Sequence, residues 1–186
     1  MTAPESFSET CLINLNDGTT DMSISPITET IDISQGDKPV EHIATLSGGR
    51  LRKPLPEEDT EITFEGYPIA IGDKDATSQD GLDLFFHGGT DTVAPFSVSS
   101  SLTRTVFTVT IMFTDGTATS ATSSVLSGNY ALRYNFANCD MVSCKPSFTD
   151  GVLKATYTFK CAPRNKSGTS NITEESTDGT ASMPTI

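Results

Sequence analysis

Thr60 to Ile69 reads TEITFEGYPI. Ile62 and Phe64 alternate with Glu61, Thr63 and Glu65, so the stretch forms a strand with one apolar and one acidic face. Gly66 and Pro68 close it as a bend or edge. The same period recurs downstream. In Thr103 to Thr114, Phe107, Val109, Ile111 and Phe113 take one side while Val106, Thr108, Thr110 and Met112 take the other. In Val152 to Cys161, Ala155, Tyr157, Phe159 and Cys161 alternate with Lys154, Thr156, Thr158 and Lys160.

Working outward, shorter strands are expected at Cys11 to Leu15, Val40 to Leu46, Ala131 to Phe136 and Met141 to Pro146, with Leu132, Tyr134 and Phe136 sharing a face. Met22 to Ile33 is extended, with Pro26 marking an edge or bulge. Asn16-Asp17-Gly18, Gln35-Gly36-Asp37, Asp115-Gly116 and Asp150-Gly151 supply turns. Thr117 to Ser127 suits either a short helix, with Ala121, Val125 and Leu126 inward, or a loop. The pattern is all-β and mainly antiparallel: a β-sandwich or barrel of eight to ten strands, at most one or two short helices and a long extended loop.

A chain of 186 residues supports one core. We expect a flexible N-terminus over 1–10, a single β domain over 11–163 and a polar Ser/Thr/Gly-rich tail over 164–186. Within the domain, 48–59 forms an extended arm: Arg50, Arg52 and Lys53 precede Pro54 and Pro56, then Glu57, Glu58 and Asp59. It is either a solvated connection or an arm that binds a partner through complementary charge.

The formal net charge of -12 excludes a protein that coats nucleic acid by counterion release. It suits a chain kept soluble in concentrated salt, where the screening length falls to about 3 Å. The N-terminus has no cationic start, and no stretch reaches the roughly 18 apolar residues of a membrane helix, so the chain reads as cytosolic at synthesis without membrane insertion.

Chemistry is sparse. Cys11, Cys139, Cys144 and Cys161 form no C-x-x-C and lie far from His42 and His87, so buried thiols are expected rather than zinc, although Cys139 or Cys144 could meet Cys161 across a hairpin. Asp73 and Asp75 open like a calcium loop, but Ser78 replaces the needed Gly and no Glu closes it. There is no phosphate loop and no nucleophile elbow; Glu57 with Glu61 lacks the aromatic platform of a sugar site, and tryptophan is absent. No catalytic residue, cofactor or metal is expected. Asn165-Lys166-Ser167 and Asn171-Ile172-Thr173 match glycosylation acceptors, triplets common in such sequence.

The acidic strand with its proline-rich leader, the apolar LFFHGG of Leu84 to Gly89, Cys144 to Pro163 (CKPSFTDGVLKATYTFKCAP) and Asn171 to Ser176 (NITEES) together resemble the major tail tube proteins of long-tailed viruses, in particular those of haloarchaeal tailed viruses. The resemblance implies a structural virion protein, made in the host cytoplasm and resident in the tail, that self-assembles as stacked hexameric rings into a hollow tube for genome passage. The partners implied are other copies of itself, a tape measure protein, and tail tip or head-completion proteins, with DNA only in passage. On this reading Arg50, Arg52, Lys53, Glu57, Glu58 and Asp59 are candidate inter-ring contacts, and Glu61, Thr63 and Glu65 line the lumen. The other reading is a β-sandwich binding or adhesion module, such as a capsid decoration or receptor-binding protein.

Overall fold

The structure, a computed structural model, describes residues 10–18, 21–24, 30–66, 106–149 and 151–186. The Gly72 to Asp83 loop, the Leu84 to Gly89 knot, His87 and Pro26 lie outside the described residues. The described residues form ten strands: β1 Thr10–Asn16, β2 Asp21–Ile24, β3 Asp32–Ser34, β4 Val40–Ala44, β5 Arg50–Pro54, β6 Thr60–Gly66, β7 Val106–Thr114, β8 Tyr130–Thr149, β9 Val152–Cys161 and β10 Ile172–Asp178. All their pairings are antiparallel, and no α-helix occurs among the described residues. The fold is therefore the all-β class that the alternation implies.

Eight strands form one sheet in the order β2-β1-β7-β8-β9-β6-β3, with β10 also on β8, while β4 and β5 make a separate pair. The stretches expected as two strands, Ala131 to Phe136 and Met141 to Pro146, are one strand of 20 residues. Its first half lies between β7 and β10, and its second half carries β9. The change of partner falls at Asn138, whose φ of 56° is left-handed, a conformation Asn tolerates better than most residues.

The sheet curls so that its two halves share a core. Ile13 and Leu15 of β1, Phe107, Val109 and Ile111 of β7, and Phe136 of β8 meet Ile62 and Phe64 of β6 with Tyr157 and Phe159 of β9. Phe64 stacks on Tyr157 at 5.3 Å and on Phe159 at 6.0 Å, and Phe159 meets Phe107 edge-on at 5.9 Å.

The outer face of the β1–β7–β8 half is covered as well. Thr117 to Ser127 builds no helix; its hydroxyls take up backbone groups instead, as where Ser120 Oγ accepts from Thr122 N–H. Ala121 and Val125 are buried against Met112, Ala131 and Met183, whereas Leu126 is exposed. Residues 164–186, expected as a polar tail, supply β10 and then lie along this face, with Val125 and Met183 bonded backbone to backbone.

Arg133 fastens that layer. Its side chain is 1% exposed, and its guanidinium donates to Ser123 O at 3.2 Å, to Pro184 O at 2.7 Å and to the Glu175 carboxylate. A buried guanidinium is tolerated only when its donors are satisfied, and here the partners come from three separate segments. At the end of β10 the Asp178 carboxylate accepts from Thr180 N–H and Oγ1–H, which holds its pKa below the usual carboxylate range.

Replacing Arg133 by Met is expected to cost about 2–4 kcal/mol in urea unfolding. Hydrogen exchange should localise the loss of protection to the 120–126 and 179–186 segments. Glu175→Gln should cost less, since the Glu175 side chain is 42% exposed and remains able to accept the same bonds.

Candidate interaction surfaces

The wet face of the second half-sheet is built by alternation. With Ile62, Phe64, Tyr157 and Phe159 inward, Glu61, Thr63 and Glu65 of β6 turn outward beside Thr156, Thr158 and Lys160 of β9. Register adds Asp32 and Ser34 of β3 on one flank, and Asp140 and Lys145 of β8 on the other. Four strands thus share one polar face with nothing packed on it among the described residues, in contrast to the covered outer face of the first half. Glu61, Thr63 and Glu65 do lie together, but not as a bare acidic strip. Lys160 Nζ sits 3.6 Å from Glu61, and the carboxylates of Asp32, Glu61, Glu65 and Asp140 are interleaved with Lys145, Lys154 and Lys160.

The 48–59 arm is one side of a hairpin. Gly48-Gly49 lies between two five-residue runs, and Thr45 N–H donates to Gly49 O at 2.8 Å to close the turn. Val40 to Ala44 then pairs with Arg50 to Pro54, and the blade stands exposed. At its base Leu55 N–H donates to Pro39 O and Glu58 N–H to Asp37 O, so two backbone bonds tie the connections from β3 and β6 together where they enter the blade. A Cβ on Gly36 would lie 2.1 Å from Glu58 O, so only glycine allows this approach.

The pairing divides the predicted contacts. His42, Arg50 and Arg52 share one face of the blade, where the arginines are opposed by no acid of the hairpin. Lys53 belongs to the other face, 3.6 Å from Glu41, next to the exposed pair Ile43 and Leu51. Glu57 is at the base, 3.6 Å from Lys38, and Glu58 and Asp59 are exposed there. The six residues therefore occupy three places rather than one cluster. The apolar Ile43–Leu51 pair, with Leu46 at the tip, went unnoticed in the sequence, although the two-residue period carries it once β5 is seen as a strand.

A third surface is an open groove of about 470 Å³ between the β3 and β10 edges, floored by Ile33, Tyr134, Phe136 and Ile172 and rimmed by Glu57 and Glu174. All four cysteines are free and buried, and no group of three metal-ligating side chains occurs among the described residues. Asn171 is also buried, with its amide donating to Ala162 O, and Asn165 is exposed in a turn.

The sequence matches no protein-family profile and no curated protein. Among solved structures the chain is similar to a protein of the anti-feeding prophage baseplate, 6-fold symmetrised, with a TM-score of 0.53 and 12% identity, covering 94% of this chain and 97% of that one. It is also similar to chains of an extracellular contractile injection system: one from the PVC sheath-tube complex (TM-score 0.50, 13% identity, 90% and 88% covered) and one from the sheath/tube terminator (0.50, 14%, 94% and 97%). The likeness is one of fold, and it extends over nearly the whole of each chain.

Gly36→Ala is expected to force the arm base apart and cost about 1–3 kcal/mol. In hydrogen exchange, the Leu55 and Glu58 amides should lose protection while those of β9 keep theirs.

Proposed function

We infer that this chain is the subunit of a hollow tube in a tailed virus or a phage-like injection particle, assembling as stacked rings. The observation that carries this reading is the four-stranded polar face of β3, β6, β9 and the second half of β8, which no described residue covers and which is backed directly by the core. A surface of that kind serves as one sixth of a tube wall: it needs apolar packing behind and a wetted front. If six subunits each contribute four strands at about 4.8 Å, the circumference is about 115 Å and the backbone diameter roughly 37 Å, wide enough for a duplex or an extended protein. Joining subunits edge to edge also pairs the β3 edge of this face, unpaired among the described residues, which would otherwise invite aggregation. The near-whole-chain likeness to sheath-tube and baseplate chains supports the same conclusion.

On this reading Glu61, Thr63 and Glu65 face the channel together with Lys154 and Lys160. The lining is then mixed in sign and hydrophilic, which keeps cargo from sticking without repelling it strongly. The arm reaches a neighbouring subunit, where Arg50 and Arg52 meet acids of a body whose net charge is -12. Partners would be further copies of the chain and, in a virus, the tape measure and tail-end proteins.

Negative-stain microscopy and light scattering of the purified full chain provide the test. Wild type should give hollow filaments or stable rings, and R50E/R52E should stop at short stacks or single rings. A species monomeric at every concentration overturns the tube and favours a binding or adhesion module; full-length tubes from the variant overturn the role of the arm. Filament yield should also rise from 0.1 M to 1 M salt, where the screening length drops from about 10 Å to about 3 Å and like-charged subunits repel less.

A further inference from the structure

Cys139 and Cys161 stand directly opposite each other on β8 and β9, and both side chains point into the core at 0% exposure. Residues so opposed in an antiparallel pair have Cα atoms about 4.5–5.5 Å apart, inside the 4.4–6.8 Å range of disulfides, and share a face of the sheet. Neither of the other two thiols is so aligned: Cys144 faces Tyr157 and Cys11 faces Phe113. The two thiols now donate to carbonyls at the β8 bend, Cys139 to Phe136 O at 3.2 Å and Cys161 to Ala137 O at 3.3 Å, and S–H is a weak donor whose loss there costs little. The rung they form is the last that β9 makes with β8, and the next residue, Ala162, is exposed, so a small reagent reaches the pair only when this strand end opens.

We propose that Cys139 and Cys161 are a latent cross-strand clasp, reduced while the chain folds and closed into a disulfide when it meets an oxidising solution containing a small disulfide such as oxidised glutathione. The Cys161 sulfur, having lost its proton, attacks one glutathione sulfur and expels a glutathione thiolate. The Cys139 sulfur then loses its proton, attacks the Cys161 sulfur and expels the second. Two thiols become one disulfide, and the two electrons and two protons leave on two molecules of glutathione. The directions of the shifts agree with this order: the Cys139 thiol, free to turn from Phe136 O to an ionised Cys161 sulfur, lowers the Cys161 pKa, while the same contact and burial raise that of Cys139. Burial alone pushes Cys11 up to about 12, which keeps that thiol protonated. Closure pins the point where β8 changes partner, and it does not depend on whether the chain forms tubes.

The test uses the reduced full chain in two arms, one refolded in oxidised and reduced glutathione and one held native for days in the same buffer with sub-denaturing urea. Free thiols are trapped with iodoacetamide, and non-reduced peptides are mapped by mass spectrometry after cleavage before Asp140, which separates Cys139 from Cys144. The expected product joins Cys139 to Cys161, with Cys11 and Cys144 alkylated and the thermal midpoint above that of the reduced chain. Cys139→Ala and Cys161→Ala should each abolish both the joined peptide and the midpoint shift. Alkylation of Cys139 and Cys161 in both arms overturns the proposal. So does a bridge to Cys144 or between chains, or an unchanged shift in either variant.

Discussion

Where β8 releases β10 and takes up β9, the backbone would be left with unpaired groups in the interior unless something replaced the missing rung. The chain spends a buried asparagine on this. Ala137 N–H donates to Asn171 O, Asn138 donates its amide to Asn171 Oδ1, and Asn171 passes its own amide to Ala162 O. With that junction satisfied, one strand can belong to two half-sheets, and the halves can face each other across Phe107, Phe159 and Phe64. The curl, the core and the separation of the two outer faces all follow from it.

Those outer faces receive opposite treatment. On one, Met112, Ala131 and Arg133 face a layer made from 117–128 and the C-terminal segment, so even β10 residues as polar as Glu175 are drawn into a packed arrangement. On the other, threonines and paired charges are covered by no described residue. The asymmetry gives the molecule a back and a front before any partner is considered.

Most of the strands were legible because the two-residue period is a local property: Ile62/Phe64, the β7 series and Tyr157/Phe159 face where alternation puts them. What escaped depends on distant segments. ALRYNF shows one apolar face, Leu132, Tyr134 and Phe136, and nothing in it reveals that the face of Arg133 is also covered, because the cover comes from 117–128 before it and from a segment some fifty residues after it. β10 was hidden by composition, since ITEESTD is held by backbone pairing with β8 and buries only Thr177. In the arm, prolines suggested a stiff single strand, whereas pairing with VEHIA makes a blade. Alternation then sets Arg50 and Arg52 apart from Lys53, a division that a simple list of nearby cations cannot contain. Glu61, Thr63 and Glu65 face outward as alternation puts them, and the cation beside them, Lys160, comes from another strand.

The blade hangs from the polar face by two short connections that are bonded to each other at Leu55–Pro39 and Glu58–Asp37, and this gives the arm a mechanical character. Tension along its length passes through the covalent backbone of the two connections into β3 and β6, and from there into the ladder with β9 and β8. Bending across the arm meets less resistance, because Pro39, Pro54 and Pro56 contribute no N–H to the ladder near its root. The arm therefore behaves as a leaf spring, stiff to a pull and compliant to a sideways push. A tug at Leu46 is felt at the strand that carries Glu61, whereas a lateral displacement of the same residue is absorbed before it arrives.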